Sequence, residues 1–165
     1  MASVIQAGDR IPSVSVKLVD ASGTIDTTSD AVLGQGRVVF FAVPGAFTPT
    51  CHTNHLPGFL ATASKLRDAG ATRIVCASVN DHHVMKAWAT ASEALGIIDF
   101  IADGNATLAN ALGLAADKSA GGMGIRYDRS AMIIDNGVAR AVFVENQPGV
   151  TVSGAPAILL ALQAM

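Results

Sequence analysis

A chain of 165 residues, half of them apolar, 15% charged and 5% aromatic, is long enough to bury a core as one domain without covalent staples. Its net charge of −2 supplies no clustered basic face, which excludes nucleic acid and an anionic membrane surface as expected partners. No stretch reaches the roughly 18 apolar residues of a membrane helix, and the first thirty residues lack the basic start, apolar run and small-residue cleavage site of a leader, so a cytoplasmic location is expected.

Gly8-Asp9-Arg10-Ile11-Pro12 reads as a turn, after which Val14, Val16 and Leu18 alternate with polar residues as in a half-buried strand. Residues 20 to 36, rich in Gly, Ser, Thr and Asp, are expected to be turns and loop. The β-branched and aromatic run from Arg37 to Val43 predicts a central strand covered on both faces, closed by Pro44-Gly45. From Thr50 to about Ala69, Leu56, Phe59, Leu60, Ala63 and Leu66 fall at helical spacing; Gly70 ends the helix, and Pro57-Gly58 should kink or bulge it. Arg73 to Val79 predicts a second buried strand and His82 to Leu95 a helix capped by Asn80 or Asp81, together a right-handed crossover with parallel pairing. A short strand at Ile97 to Ala102 and a short helix at Asn105 to Leu112 follow. Residues 113 to 128, with Gly113, Gly121, Gly122 and Gly124, are expected to form a mobile surface loop. Met132 to Asp135, Asn136-Gly137 and Val138 to Val144 carry a strong hairpin signal, and Ala155 to Met165 an apolar helix. The order predicts one α/β domain over residues 1–165, a central mixed β-sheet flanked by helices.

Two cysteines, Cys51 and Cys76, lack C-x-x-C spacing, so one reactive thiol is expected rather than a bridge. Cys51 falls in the first turn of the helix after Pro44-Gly45, where unpaired N–H groups and the positive end of the helix dipole favour an anion. Thr48, three residues earlier, is expected beside the sulfur, although a helix N-cap would satisfy the same spacing. Arg129, His52 and His55 are the candidates for the cation that the site needs. Cys76, among Val75, Ala77 and Val79, reads as a core residue.

The string Pro44-Gly45-Ala46-Phe47-Thr48-Pro49-Thr50-Cys51 resembles the P-x-x-x-T-x-x-C signature of peroxiredoxins. His55-Leu56-Pro57-Gly58-Phe59, Ser78-Val79-Asn80-Asp81, Trp88, and Arg129 with Met132-Ile133-Ile134 resemble the type II, atypical subgroup, a likeness that runs effectively along the whole chain. The resemblance implies a thioredoxin-like fold with an N-terminal extension, reduction of hydrogen peroxide and organic hydroperoxides, no cofactor, and a homodimer, which the apolar surplus also favours. It implies Cys51 as the peroxidatic cysteine, Thr48 as the threonine bonding sulfur and peroxide, Pro44 as a shield and Arg129 as the holder of the thiolate. Many type II members carry a resolving cysteine near the segment that here reads Gly149-Val150-Thr151-Val152-Ser153-Gly154, and this chain has none there. A one-cysteine cycle is therefore expected, with an external thiol, glutathione with glutaredoxin or thioredoxin, as reductant.

Other readings fare less well. A Cys51 hydrolase needs His52 or His55 presented to the sulfur, and bases one and four residues from it on the same helix are not presented as such a pair needs. A non-catalytic thioredoxin-like binding or redox-sensing module is the main alternative. His52, His55, His82 and His83 lack a metal-site spacing, and Gly121-Gly122-Met123-Gly124 lacks the lysine of a phosphate loop.

Overall fold

In the computed structural model, which describes residues 2–165, the chain forms a seven-stranded mixed sheet with helices on both faces. β1 (Ser15–Asp20) and β2 (Gly23–Thr28) make an antiparallel pair, and α1 (Ser29–Leu33) follows. β3 (Arg37–Ala42) leads through the 43–48 loop and a π turn (Cys51–His55) into α2 (Leu56–Asp68) and β4 (Arg73–Ser78). α3 (His82–Ala91), β5 (Asp99–Ala102) and α4 (Thr107–Ala111) come next, then the short strands β6 (Ala115–Asp117) and β7 (Ile125–Tyr127). β8 (Ser130–Asp135), β9 (Val138–Val144) and α5 (Ala155–Gln163) complete the chain. Across the sheet the order is β2-β1-β5-β4-β3-β8-β9, with β3, β4 and β5 parallel and the remaining pairs antiparallel.

The central strand expected at 37–43 is covered on both sides, because its alternate side chains serve two cores. Val39, Phe41 and Val43 pack with Leu56, Phe59, Trp88 and Ile158 beneath α2, α3 and α5. Val38, Phe40 and Ala42 pack with Leu33, Leu108, Leu112 and Tyr127 beneath α1 and α4. The Phe41 and Phe59 rings stack with centroids 4.0 Å apart, fixing α2 over β3. The hairpin turns as expected at Asn136-Gly137, where φ values of 46° and 82° are the left-handed pair that a two-residue turn requires. Asp81 caps α3, its side chain accepting from Val84 N, and the helix ends at Ala91, short of Leu95.

Two stretches read as loop are built instead. Residues 20–36 hold β2 and α1; β2 is an edge strand exposed on much of its length, so no apolar alternation marks it. Residues 113–128 hold β6, one 3₁₀ turn (Ser119–Gly121) and β7, in a two-stranded sheet. That flap is tied down by Tyr127, which is fully buried and donates its hydroxyl to Asp103 at 2.9 Å. The Asp103 carboxyl, which burial pushes above the usual carboxylate range, also accepts from Leu108 N and Ala109 N at the start of α4. Among the described residues no helix is long and apolar enough to cross a membrane.

Candidate active site

The site lies where β3 gives way to helix. Pro49 and Thr50 are already helical, and Cys51–His55 form a π turn before α2 begins at Leu56. Pro57 lacks an N–H to donate backward, and the wider i to i+5 spacing in the turn before it is the bulge that Pro57-Gly58 foretold. This winding directs Cys51 and His55 toward the same guanidinium. Arg129, just before β8, donates from Nη2 to Cys51 Sγ at 3.1 Å and from Nη1 to His55 Nδ1 at 2.9 Å.

Because a guanidinium can only donate, His55 Nδ1 is the acceptor and the ring proton sits on Nε2, which donates to the Ser153 carbonyl at 2.8 Å. Burial lowers His55 from 6.5 to about 4, and the Arg129 charge lowers it further than the Ser153 bond alone would leave it. His55 is therefore a neutral bridge and not the cation it was a candidate to be. His52 is likewise occupied: the buried Trp88 indole donates to its Nδ1 at 3.0 Å. Of the three cation candidates, Arg129 alone contacts the sulfur, and neither imidazole is directed at it as a hydrolase base.

The preceding loop is fixed from two sides. Asn80 Oδ1, at the end of β4, accepts from Ala46 N at 3.0 Å and from the buried Ser78 hydroxyl at 2.6 Å. Arg126 in β7 donates to the Pro44 carbonyl at 3.2 Å and to the Met123 carbonyl at 2.9 Å. Gly45 is needed for this approach, since a Cβ there would meet Arg126 Nη1 at 2.8 Å. Phe47, at φ 62° and 47% exposed, stands at the rim with its ring 5.5 Å from His52.

Two expectations change. Thr48 takes the N-cap position through its carbonyl, which accepts from His52 N at 2.8 Å, but its hydroxyl donates to the Gly45 carbonyl at 2.6 Å. Neither the sulfur nor a helix N–H engages that hydroxyl, whose lone pairs remain free to accept. Cys51, read from the sequence as a reactive thiol and so in need of access, is 0% exposed, enclosed within the core cluster that holds Phe41, Leu56 and Cys76. Cys76 is fully buried in β4, as expected, and burial pushes its thiol well up. Both cysteines are free.

Sequence reasoning named His55 but not its bridging role, named Asn80 only as a helix-cap candidate and within a family-like segment, and missed Glu145 and Arg126. Glu145 accepts from Thr151 and Ser153, whose hydroxyls and backbone N–H groups hold its carboxyl down to about 2 against the cost of burial. A surface cavity of about 670 Å³ is lined by Lys17, Asp26, His82 and Thr107 among others and shares no residue with the surroundings of Cys51. Among the described residues no group of three or more His, Cys, Asp or Glu side chains is placed to hold a metal ion.

A family model described as Redoxin matches residues 6–159. Peroxiredoxin-2D of Arabidopsis thaliana is 40% identical over 159 residues, covering 96% of this chain and 98% of that one. Peroxiredoxin-2E-2, chloroplastic, of Oryza sativa is 42% identical over 168 residues, covering 97% of this chain and 73% of that one. The crystal structure of reduced Prx3 in complex with H2O2 from Vibrio vulnificus superposes with a TM-score of 0.90 at 42% identity, covering 96% and 99% of the two chains.

Proposed function

The chain belongs to the redoxin family as a peroxiredoxin, a thiol peroxidase of thioredoxin-like fold, and from that premise we propose that Cys51 is its peroxidatic cysteine, served by Arg129, Thr48 and Pro44. The observation that carries this assignment is the Arg129 Nη2 to Cys51 Sγ contact of 3.1 Å, a cation set on a sulfur that follows the first residues of a helix. In the reaction the Cys51 thiolate attacks one peroxide oxygen, the S–O bond forms as the O–O bond breaks, and the departing oxygen leaves as hydroxide or alkoxide to be protonated. Arg129 and the loop N–H groups face the charge that develops there, and Thr48 is free to accept from the peroxide. The product is a sulfenic acid on Cys51.

Regeneration proceeds as a one-cysteine cycle. An external thiol attacks the sulfenic sulfur and releases water, and a second thiol displaces Cys51 from the mixed disulfide. Support comes from the absence of any cysteine between Glu145 and Gly154 and from the protonated, fully enclosed state of Cys76. Glutathione with glutaredoxin, or thioredoxin, is the proposed reductant. Residues 1–165 act as one domain, in the cytoplasm, as a homodimer packed through the loops around Phe47 and Gly121. Phe47 and Ile125, 47% and 44% exposed, provide the apolar surface for that contact.

The decisive experiment follows hydrogen peroxide consumption with glutathione plus glutaredoxin and with thioredoxin, for wild type and Cys51→Ser. Turnover by wild type that vanishes in Cys51→Ser is expected; turnover surviving in the variant overturns the assignment. The complete enclosure of Cys51 favours a second reading, a redox-sensing module, which stoichiometric oxidation without turnover would establish instead. Sedimentation of a monomer at micromolar protein would remove the dimer.

A further inference from the structure

Arg129 belongs to a closed circuit of hydrogen bonds. Its carbonyl accepts from Glu145 N at 2.9 Å, one step beyond the Ser130–Val144 pair that ends the β8–β9 ladder. The Glu145 carboxylate then gathers four donors from the loop ahead: Thr151 N at 2.7 Å, Thr151 Oγ1 at 2.5 Å, Ser153 N at 2.9 Å and Ser153 Oγ at 2.6 Å. Ser153, fully buried and thus fixed, offers its carbonyl to His55 Nε2, and His55 Nδ1 returns the circuit to Arg129 Nη1. Nη2 is left for the sulfur.

A guanidinium has five N–H donors on a long flexible stem, so what decides which of them faces a sulfur is what holds the others. Here the holder is an imidazole whose tautomer is set by a carbonyl, and that carbonyl is placed by a carboxylate. Resting on the reading of Cys51 as the reactive thiol, we propose that Glu145 is a positioning residue for it: by clamping Thr151 and Ser153 it fixes His55, and through His55 the Arg129 guanidinium, making the 145–153 segment a latch on the reactivity of Cys51. Lifting that segment takes the Ser153 carbonyl from His55 Nε2, so the imidazole is no longer held against Nη1 and the guanidinium is free to leave the sulfur. The titratable neighbours of the circuit are His55, on the π turn, and Cys76, which faces Cys51 from β4 and stays protonated through burial.

The test compares full-length wild type with Glu145→Gln, which puts an amide N–H₂ against the donors of Thr151 and Ser153. Iodoacetamide alkylation of Cys51, followed by mass spectrometry across pH, reads thiolate formation from the midpoint of the profile and access to the enclosed sulfur from its plateau, and peroxide consumption is measured beside it. In Glu145→Gln the alkylation profile is expected to move up by about half a pH unit or more, with kcat/KM for peroxide about tenfold lower. Ser153→Ala and Thr151→Val, which each remove one hydroxyl donor, are expected to move it less in the same direction, and they carry the test if Glu145→Gln does not fold. A folded variant whose profile overlays wild type overturns the latch. Wild type that consumes no peroxide would instead overturn the peroxidatic reading of Cys51, while the alkylation profiles still decide for or against Glu145.

Discussion

Acidification should find one imidazole before most other groups. His55 is 1% exposed and held as a neutral acceptor for Arg129 and donor to Ser153. Its burial brings it from 6.5 to about 4. Between those values the unfolded chain binds a proton that the folded protein refuses, so stability falls as pH drops through that window and is independent of this residue below it. At about 1.36 kcal/mol per pH unit, the gap between 6.5 and about 4 amounts to roughly 3 kcal/mol, a large share of a typical domain's stability. The assay is urea denaturation at several values between about pH 7 and pH 4 for wild type and His55→Gln. Glutamine offers an oxygen to Arg129 and an N–H to Ser153 without titrating, so the difference between the two proteins isolates the imidazole. Glu145, held down to about 2, contributes stability that is present above 4.5 and declines as pH falls toward 2, and both proteins share it. Wild type is expected to lose roughly 3 kcal/mol more than the variant over the window; parallel curves would show that His55 is not kept neutral by the fold.

Replacing Arg129 by Met should lower kcat/KM for hydrogen peroxide by about a hundredfold or more in stopped-flow consumption, the usual loss when a donor to developing charge is removed; a rate within about threefold of wild type would take Arg129 out of the mechanism. Cys76→Ala should turn over normally with an external thiol, and a Cys51–Cys76 disulfide as the main product of peroxide treatment, read by mass spectrometry, would refute the one-cysteine cycle. Tyr127→Phe removes a donor from the buried Asp103 carboxyl and should destabilise by about 1.5–3 kcal/mol in urea denaturation; an unchanged midpoint would mean that Asp103 does not depend on that hydroxyl.

What was legible in the chain was whatever a local period or a special backbone angle controls. The double-sided strand β3, the hairpin at Asn136-Gly137 and the helix over Leu56, Phe59, Ala63 and Leu66 all announce themselves within a few residues, because burial or φ demands those residue types. β2 did not, since an exposed edge strand places no constraint on either face, and β6 and β7, at three residues each, are shorter than any period. Of the site, the Thr48 and Cys51 spacing and the need for a cation were readable. The resemblance pointed to Arg129; the physical ground for setting His52 and His55 aside lay in partners far along the chain, Trp88 for His52 and Ser153, 98 residues from His55. The anchoring of the loop ahead of Cys51 is equally non-local, resting on Asn80 and Arg126.

The π turn at Cys51–His55 carries slack that an α-helix would not. Winding it back to the ordinary pitch takes up one residue and rotates whatever precedes it by about 100° around the axis, with α2 undisturbed behind it. A change of register there would turn Cys51 relative to the Arg129 guanidinium while leaving Leu56–Asp68 seated on β3, so the bearing of the sulfur and the packing of the helix behind it are separable.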